Sequence, residues 1–225
     1  MAKDRARARE LQDEFFGRGD ALGWFDALYR DAKGDTDLIP WADLTSDPLL
    51  EDWRRRTAFA VRGRSCLVVG CGLGDDAEAL AADGGDVTAF DLSPTAIDWC
   101  RRRFPDSVVQ YRVADLFQLP PAWRRSFAFV FECNTLQALP AAIRPRAIEC
   151  VADLVAPGGT LLVICRARDP REPADGPPWP LTRDEVESFA RCGMARASFD
   201  DVLAGDDPPA RRFVASFTRG VSRSV

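Results

Sequence analysis

The stretch CLVVGCGLGDDAEALAA, residues 66–82, decides the fold. Cys66 to Val69 is a short, continuously apolar run, the pattern of a strand buried on both faces. Gly70-Cys71-Gly72-Leu73-Gly74 follows, and glycines there let the backbone turn sharply and approach a ligand. Asp75 to Ala82 is rich in helix formers. Strand, glycine turn and helix in that order open a parallel sheet covered by helices. Ligands of such sheets bind at the carboxyl ends of strands, near the point where strand order reverses. A glycine-rich turn that holds no ligand is the competing reading of the glycines alone.

Outward from this unit, the same rhythm continues. Further apolar runs at Val87–Phe90, Val108–Val113, Phe127–Phe131 and Thr160–Cys165 predict strands, and Pro94–Phe104 and Ala141–Val155 predict helices between them. Pro94 marks a helix start and Pro157-Gly158-Gly159 a helix end. Arg168 to Pro180 is a polar, proline-rich loop, either a lid or a linker. A helix over Thr182–Cys192 and two strands near Ala195–Phe199 and Phe213–Phe217, joined by an Asp/Pro-rich turn, complete the chain. Residues 1–60 read as a helical cap on the sheet edge, rich in aromatic side chains, and residues 61–225 as one compact unit. The fold class is α/β, Rossmann-like and doubly wound.

Composition narrows the partners. The 225 residues are 46% hydrophobic, enough for a real core, and 35 acidic against 30 basic side chains leave a formal charge of -5. That balance argues against nucleic acid, whose phosphate backbone needs clustered positive charge. Only Lys3 and Lys33 are lysines, and histidine is absent, which removes the commonest general base and the commonest metal ligand. The cysteines at 66, 71, 100, 133, 150, 165 and 192 are odd in number and lie in apolar surroundings without metal-ligand spacing. They predict reduced core thiols, no metal and a cytoplasmic location. Residues 1–16 have no apolar signal-peptide core, and no segment is apolar enough to span a bilayer.

Asp91 ends the second predicted strand, where a carboxylate accepts hydrogen bonds from both hydroxyls of a ribose. That suits a nicotinamide dinucleotide or S-adenosylmethionine equally. A helix cap is the plainer use of Asp91, although Ser93 can do the same. The dinucleotide fingerprint needs a third glycine at position 75, but Asp75 and Asp76 stand there and oppose a pyrophosphate. The sulfonium and ammonium of S-adenosylmethionine tolerate them. Asp115, after the third strand, can accept from an adenine amino group, with Leu92 and Leu116 flanking the ring.

These marks, together with TAFDLSPTAI, VADLF and PGGTLLVI, make residues 60–218 resemble the class I S-adenosylmethionine-dependent methyltransferases. The resemblance implies a seven-stranded, mostly parallel sheet whose last strand is antiparallel. Details are most similar to the thiopurine, thiol and halide methyltransferase branch. The pattern Gly70-Cys71-Gly72-x-Gly74-x-Asp76 follows that branch. Trp24 and the run Ile39-Pro40-Trp41-Ala42-Asp43 look like its cover over the methionine end of the cofactor. Glu132 and Asn134 stand where the branch places cofactor and substrate contacts, although Glu132-Cys133 departs from its halide members.

Methyl transfer from a sulfonium is an in-line displacement, governed mainly by alignment and exclusion of water. A thiol supplies some thiolate near neutral pH, whereas an aliphatic hydroxyl needs a real base. The absence of histidine therefore favours a thiol or other sulfur acceptor. Oxygen or nitrogen acceptors stay open, with Glu132, Asp43 or Tyr29 as base, as does a module that binds the cofactor without turnover. Phe25, Tyr29, Arg166 and Trp179 are the expected acceptor contacts, and the chain is expected to be a monomer or weak homodimer with a small-molecule partner.

Overall fold

The computed structural model describes residues 5–174, 176–205 and 208–221. Lys3, Asp175 and the Asp206-Asp207 part of the expected Asp/Pro-rich turn lie outside them. Three helices come first: α1 (Ala6–Gly17), α2 (Trp24–Ala32) and α3 (Pro48–Thr57). In α3, Asp47 caps the start by accepting from the Leu49 N–H, and Pro48 occupies the first turn.

The doubly wound unit then alternates β1 (Ser65–Val69), α4 (Asp75–Ala82), β2 (Asp86–Asp91), α5 (Pro94–Arg103), β3 (Gln110–Val113), β4 (Phe127–Cys133), α6 (Arg144–Ala152) and β5 (Val155–Arg166). After these come α7 (Arg183–Glu187), β6 (Met194–Ala204) and β7 (Ala210–Arg219). The seven strands form one sheet in the order β3-β2-β1-β4-β5-β7-β6. β7 runs antiparallel to both neighbours, and the remaining pairings are parallel. β1 lies between β2 and β4, so strand order reverses at the β1–β4 junction and opens a crevice at its carboxyl end.

Residues alternate between the two faces. Leu67, Val69, Val130, Leu161 and Val163 pack with Ala147, Ile148 and Val151 of α6 on one side. Cys66, Val68, Phe129, Leu162 and Ile164 pack with Leu50 and Trp53 of α3, Ala77 and Leu80 of α4, and Ile97 of α5 on the other. α1 and α2 form a third cluster, in which Leu11, Trp24, Leu28 and Tyr29 meet Ala96 and Trp99 of α5. The first 60 residues are thus shared: α3 covers a sheet face, while α1 and α2 lean on α5.

Several boundaries move from their expected places. β3 starts at Gln110, and Val108 is 78% exposed. Pro157-Gly158-Gly159 does not end a helix. It lies inside β5, where pairing with β4 shifts from Phe127↔Val155 to Phe129↔Thr160, and Gly158 takes a φ of 76°. Turn-forming residues serve a bulge as readily as a helix end, and α6 has already stopped at Ala152. The helix after the proline-rich loop is α-helical only to Glu187 and continues as 3-10 to Cys192. Among the described residues, no helix is long and apolar enough to cross a membrane.

Candidate functional site

A cavity of about 1100 Å³ opens at the β1–β4 reversal, walled by the strand ends, by the segment between α2 and α3 and by the tip of the β6–β7 hairpin. Its floor is the glycine turn. Gly70, Gly72 and Gly74 have φ values of 58°, 54° and 90°, in the left-handed region that disfavours side chains. A Cβ at Gly70 would stand 2.4 Å from Thr135 Oγ1, and that hydroxyl donates to the Val69 carbonyl (3.0 Å) across the strand reversal. Gly74 is outside the cavity lining. It caps α4 against the Tyr111 ring.

Asp91 stands beside the turn at the end of β2. Its Oδ2 accepts from the Gly72 N–H (3.0 Å) and its Oδ1 from the Ser93 N–H (2.9 Å), and the residue lines the cavity. Burial pushes its carboxyl up to about 6, although the two backbone donors pull it down. It is ionised near neutral pH, and an oxygen holding one donor has room for another. Asp115 accepts from Phe117 N (2.8 Å) and Gln118 Nε2 (2.9 Å), and it lines the cavity with Leu92 and Leu116.

The two carboxylates at the start of α4 differ in use. Asp75 pairs with Arg103 (2.7 and 2.9 Å). Asp76 accepts from the Asp47 N–H (2.7 Å) and Ser46 Oγ (3.1 Å), and burial holds its carboxyl up at about 6. Asp26, on α2, accepts from Ser93 Oγ (2.7 Å) and Thr95 N (3.1 Å) and so ties the cap to the start of α5.

The aromatic wall comes from the N-terminal segment. Trp24 stacks on Phe25 (4.0 Å between centroids), and both meet Trp41 edge-on. Trp41 Nε1 donates to Tyr29 Oη (2.7 Å), while Asp43 sits on the exposed lip. Tyr29 is buried, and burial followed by the nearby Asp91 charge raises its phenol well above the ordinary value. It stays neutral.

At the end of β4, Glu132 is fully buried and does not line the cavity. Its Oε1 accepts from the Leu136 N–H (2.9 Å), Oε2 has no partner among the described residues, and burial pushes the carboxyl up to about 7. Asn134 lines the cavity with a φ of 63°. Its Nδ2 donates to Cys133 Sγ (3.2 Å) and its Oδ1 accepts from Arg212 Nη1 (3.0 Å).

Cys71 and Arg166 also line the cavity, but Trp179 does not. The Trp179 ring packs against Gly176 and stacks on Phe16 at 6.2 Å, while Pro177 and Pro178 face the cavity. The Trp179 N–H holds the loop by donating to the Gln137 carbonyl (2.7 Å). Arg168 donates to backbone carbonyls of its own loop rather than to the Asp169 side chain, which pairs with Arg211 (3.0 Å). Asp26, Asp47 and Arg212 were not singled out by the sequence reading. Asp47-Pro48 is a legible cap signal, but nothing local marks the other two.

This set fits an adenosyl sulfonium better than a dinucleotide. Asp91 offers acceptors for a diol, and Asp76 at the cavity wall would repel phosphates. Trp24, at the cavity wall, has a buried Nε1 donor with no acceptor among the described residues.

Residues 66–159 match the family model described as a methyltransferase domain. The chain is 26% identical over 184 residues to a probable thiol methyltransferase 2 of Arabidopsis thaliana, covering 80% of this chain and 76% of that one. It is 30% identical over 127 residues to a ubiquinone biosynthesis O-methyltransferase of Bordetella avium (strain 197N), of whose length the match spans about half (52%; 56% of this chain). In fold it is similar to N-methyltransferase NodS from Bradyrhizobium japonicum WM9, solved with S-adenosyl-L-homocysteine, at a TM-score of 0.66, 21% identity, and coverage of 86% of this chain and 96% of that one.

Proposed function

We propose that this chain, a class I S-adenosylmethionine-dependent methyltransferase, moves the methyl group to a sulfur nucleophile of a small molecule, a thiol above all. The observation that carries this reading is the state of the side chains available as a base. Tyr29 is held neutral and its hydroxyl already accepts from Trp41. Glu132 lies beneath the cavity rim with one oxygen on the backbone. Histidine is absent from the whole sequence. Asp43 alone of the three candidates reaches the cavity as a free-standing carboxylate, and it does so on the exposed lip. An acceptor that ionises by itself suits such a wall, and a thiol with a pKa near ~8.5 supplies a few percent thiolate at pH 7.

S-adenosylmethionine supplies, when bound, a methyl group made electrophilic by its sulfonium. Asp91 would hold the ribose hydroxyls, with the Gly70–Gly72 backbone beneath. Asp115 would receive the adenine amino group, between Leu92 and Leu116. Trp24 and Trp41 cover the methionine end, and Asp76 offers negative charge to its ammonium. Phe25, Pro177 and Pro178 exclude water from the acceptor side, where Asn134 and Arg166 are the polar contacts. Glu132 acts from below, holding the turn after β4 through the Leu136 N–H.

Similarity to the Arabidopsis probable thiol methyltransferase supports the sulfur reading, and similarity to the Bordetella O-methyltransferase supports an oxygen acceptor. Incubation with methyl-labelled S-adenosylmethionine and matched thiols, phenols, amines and halides separates them. Label is expected on thiols. Label on oxygen or nitrogen only overturns the sulfur assignment.

A further inference from the structure

We propose that Arg212 anchors a carboxylate carried by the methyl acceptor, which makes the substrate class small acidic thiols. The thiol part rests on the sulfur reading above. The anion part rests on Arg212 itself.

β7 runs antiparallel to β5, so its first residues reach the carboxyl rim of the parallel strands, and Arg212 pairs in register with Arg166 there. Both residues line the cavity. The Arg212 guanidinium is already oriented, because Nη1 donates to Asn134 Oδ1 (3.0 Å) at the end of β4. The rest of the fork has no acceptor among the described residues. Nε is buried without an acceptor, and Nη2 makes no hydrogen bond among the described residues. No carboxylate of the described residues forms an ion pair with it.

Its neighbour Arg211 shows what a structural arginine of this strand does. Arg211 makes two hydrogen bonds to Asp201 (2.8 and 2.7 Å) and an ion pair with Asp169 (3.0 Å) on the outside of the hairpin. Arg144, almost fully buried, is satisfied by the carbonyls of Leu136 and Leu139 and by Glu185. A chain with 35 acidic residues does not lack counterions. A guanidinium that is fixed, half-buried and short of acceptors carries an uncompensated desolvation cost, and a bound anion offsets it. Gly205 adds room at the same edge. A Cβ there would stand 3.3 Å from Nη2 and 3.7 Å from Nε. The planar fork of arginine matches a carboxylate in particular.

The test compares thioglycolate, 3-mercaptopropionate and 4-mercaptobutyrate with their amides as acceptors, for the wild type and for Arg212→Gln, Arg212→Lys and Arg211→Gln. At least one acid should exceed its amide in kcat/KM by about 30-fold or more, the scale of a charge-assisted pair. Arg212→Gln should bring that ratio to within about threefold, Arg212→Lys should keep part of it, and Arg211→Gln should keep it all. A second readout needs no turnover: binding of the matching S-methylated acids and amides to the protein loaded with S-adenosyl-L-homocysteine, by calorimetry. The same preference for acids, lost in Arg212→Gln, is expected. Equal binding and turnover of every acid and its amide by the wild type overturns the anchor. So does a preference that survives Arg212→Gln. Acid binding that depends on Arg212, with no thiol methylated, overturns the sulfur reading and leaves the anchor standing.

Discussion

At the ends of β1, β2 and β3, each carboxylate facing the cavity already has partners: Asp91 holds two backbone N–H groups, and Asp115 holds one backbone and one side-chain donor. At the end of β4 and near the start of β7, buried polar atoms are left over, Oε2 of Glu132 and Nε of Arg212. The strand-end carboxylates of the first region are satisfied within the fold, whereas the Arg212 fork of the second is completed by an added anion. A ligand common to many enzymes is served by a prebuilt cradle. A site that selects one acceptor keeps groups whose cost is offset when the right molecule arrives.

The largest expected effect tests the finished side. Asp91→Ala removes the diol acceptor and the Gly72 contact, so affinity for S-adenosyl-L-homocysteine should fall on the order of 1,000-fold, about 4 kcal/mol for two charge-assisted hydrogen bonds. Calorimetry checks this, and an unchanged dissociation constant would place the cradle elsewhere.

Glu132 sharpens the other side through pH. Its carboxyl is raised from 4.5 to about 7 in the fold. As pH rises from 4.5 to 7, the unfolded chain ionises first, so the folded state loses stability over that window and levels off above it. The loss attributable to Glu132 is roughly 3 kcal/mol. Asp91 and Asp76, both raised to about 6, tilt the profile the same way. The readout is therefore the difference between wild type and Glu132→Gln in urea unfolding from pH 5 to 8. The variant should show the flatter profile, and parallel profiles would mean that Glu132 is ionised throughout.

The smallest effect concerns the aromatic cover. Trp41→Phe keeps the edge-on ring contacts but deletes the donor to the buried Tyr29 hydroxyl, for a loss of about 1 kcal/mol in chemical denaturation. A loss of several kcal/mol would show that the cover holds the fold rather than only closing the cavity.

Much of the first region was legible in the amino-acid order because its parts are neighbours in the chain. Strand, glycine turn and helix span 66–82, and Asp91 follows at the next strand end. Short-range periodicity and the steric freedom of glycine are enough to place them. The second region draws on residues 133–135, 137, 166, 177–178, 205 and 212, brought together by a crossover and a hairpin. Within the loop, no period tells which side chain turns inward, so Pro177 and Pro178 rather than Trp179 face the cavity.

The order of residues by itself determined that this chain builds a doubly wound sheet with a ligand crevice at its strand ends, because hydrophobic period and backbone freedom act over a few residues. Arg211 and Arg212 mark the limit of that reasoning. The two are adjacent and chemically identical, yet one is consumed by Asp201 and Asp169 and the other turns toward Asn134. Successive strand residues point to opposite faces, and what waits on each face is set by distant segments. Only the tertiary structure decided which guanidinium was left for a substrate.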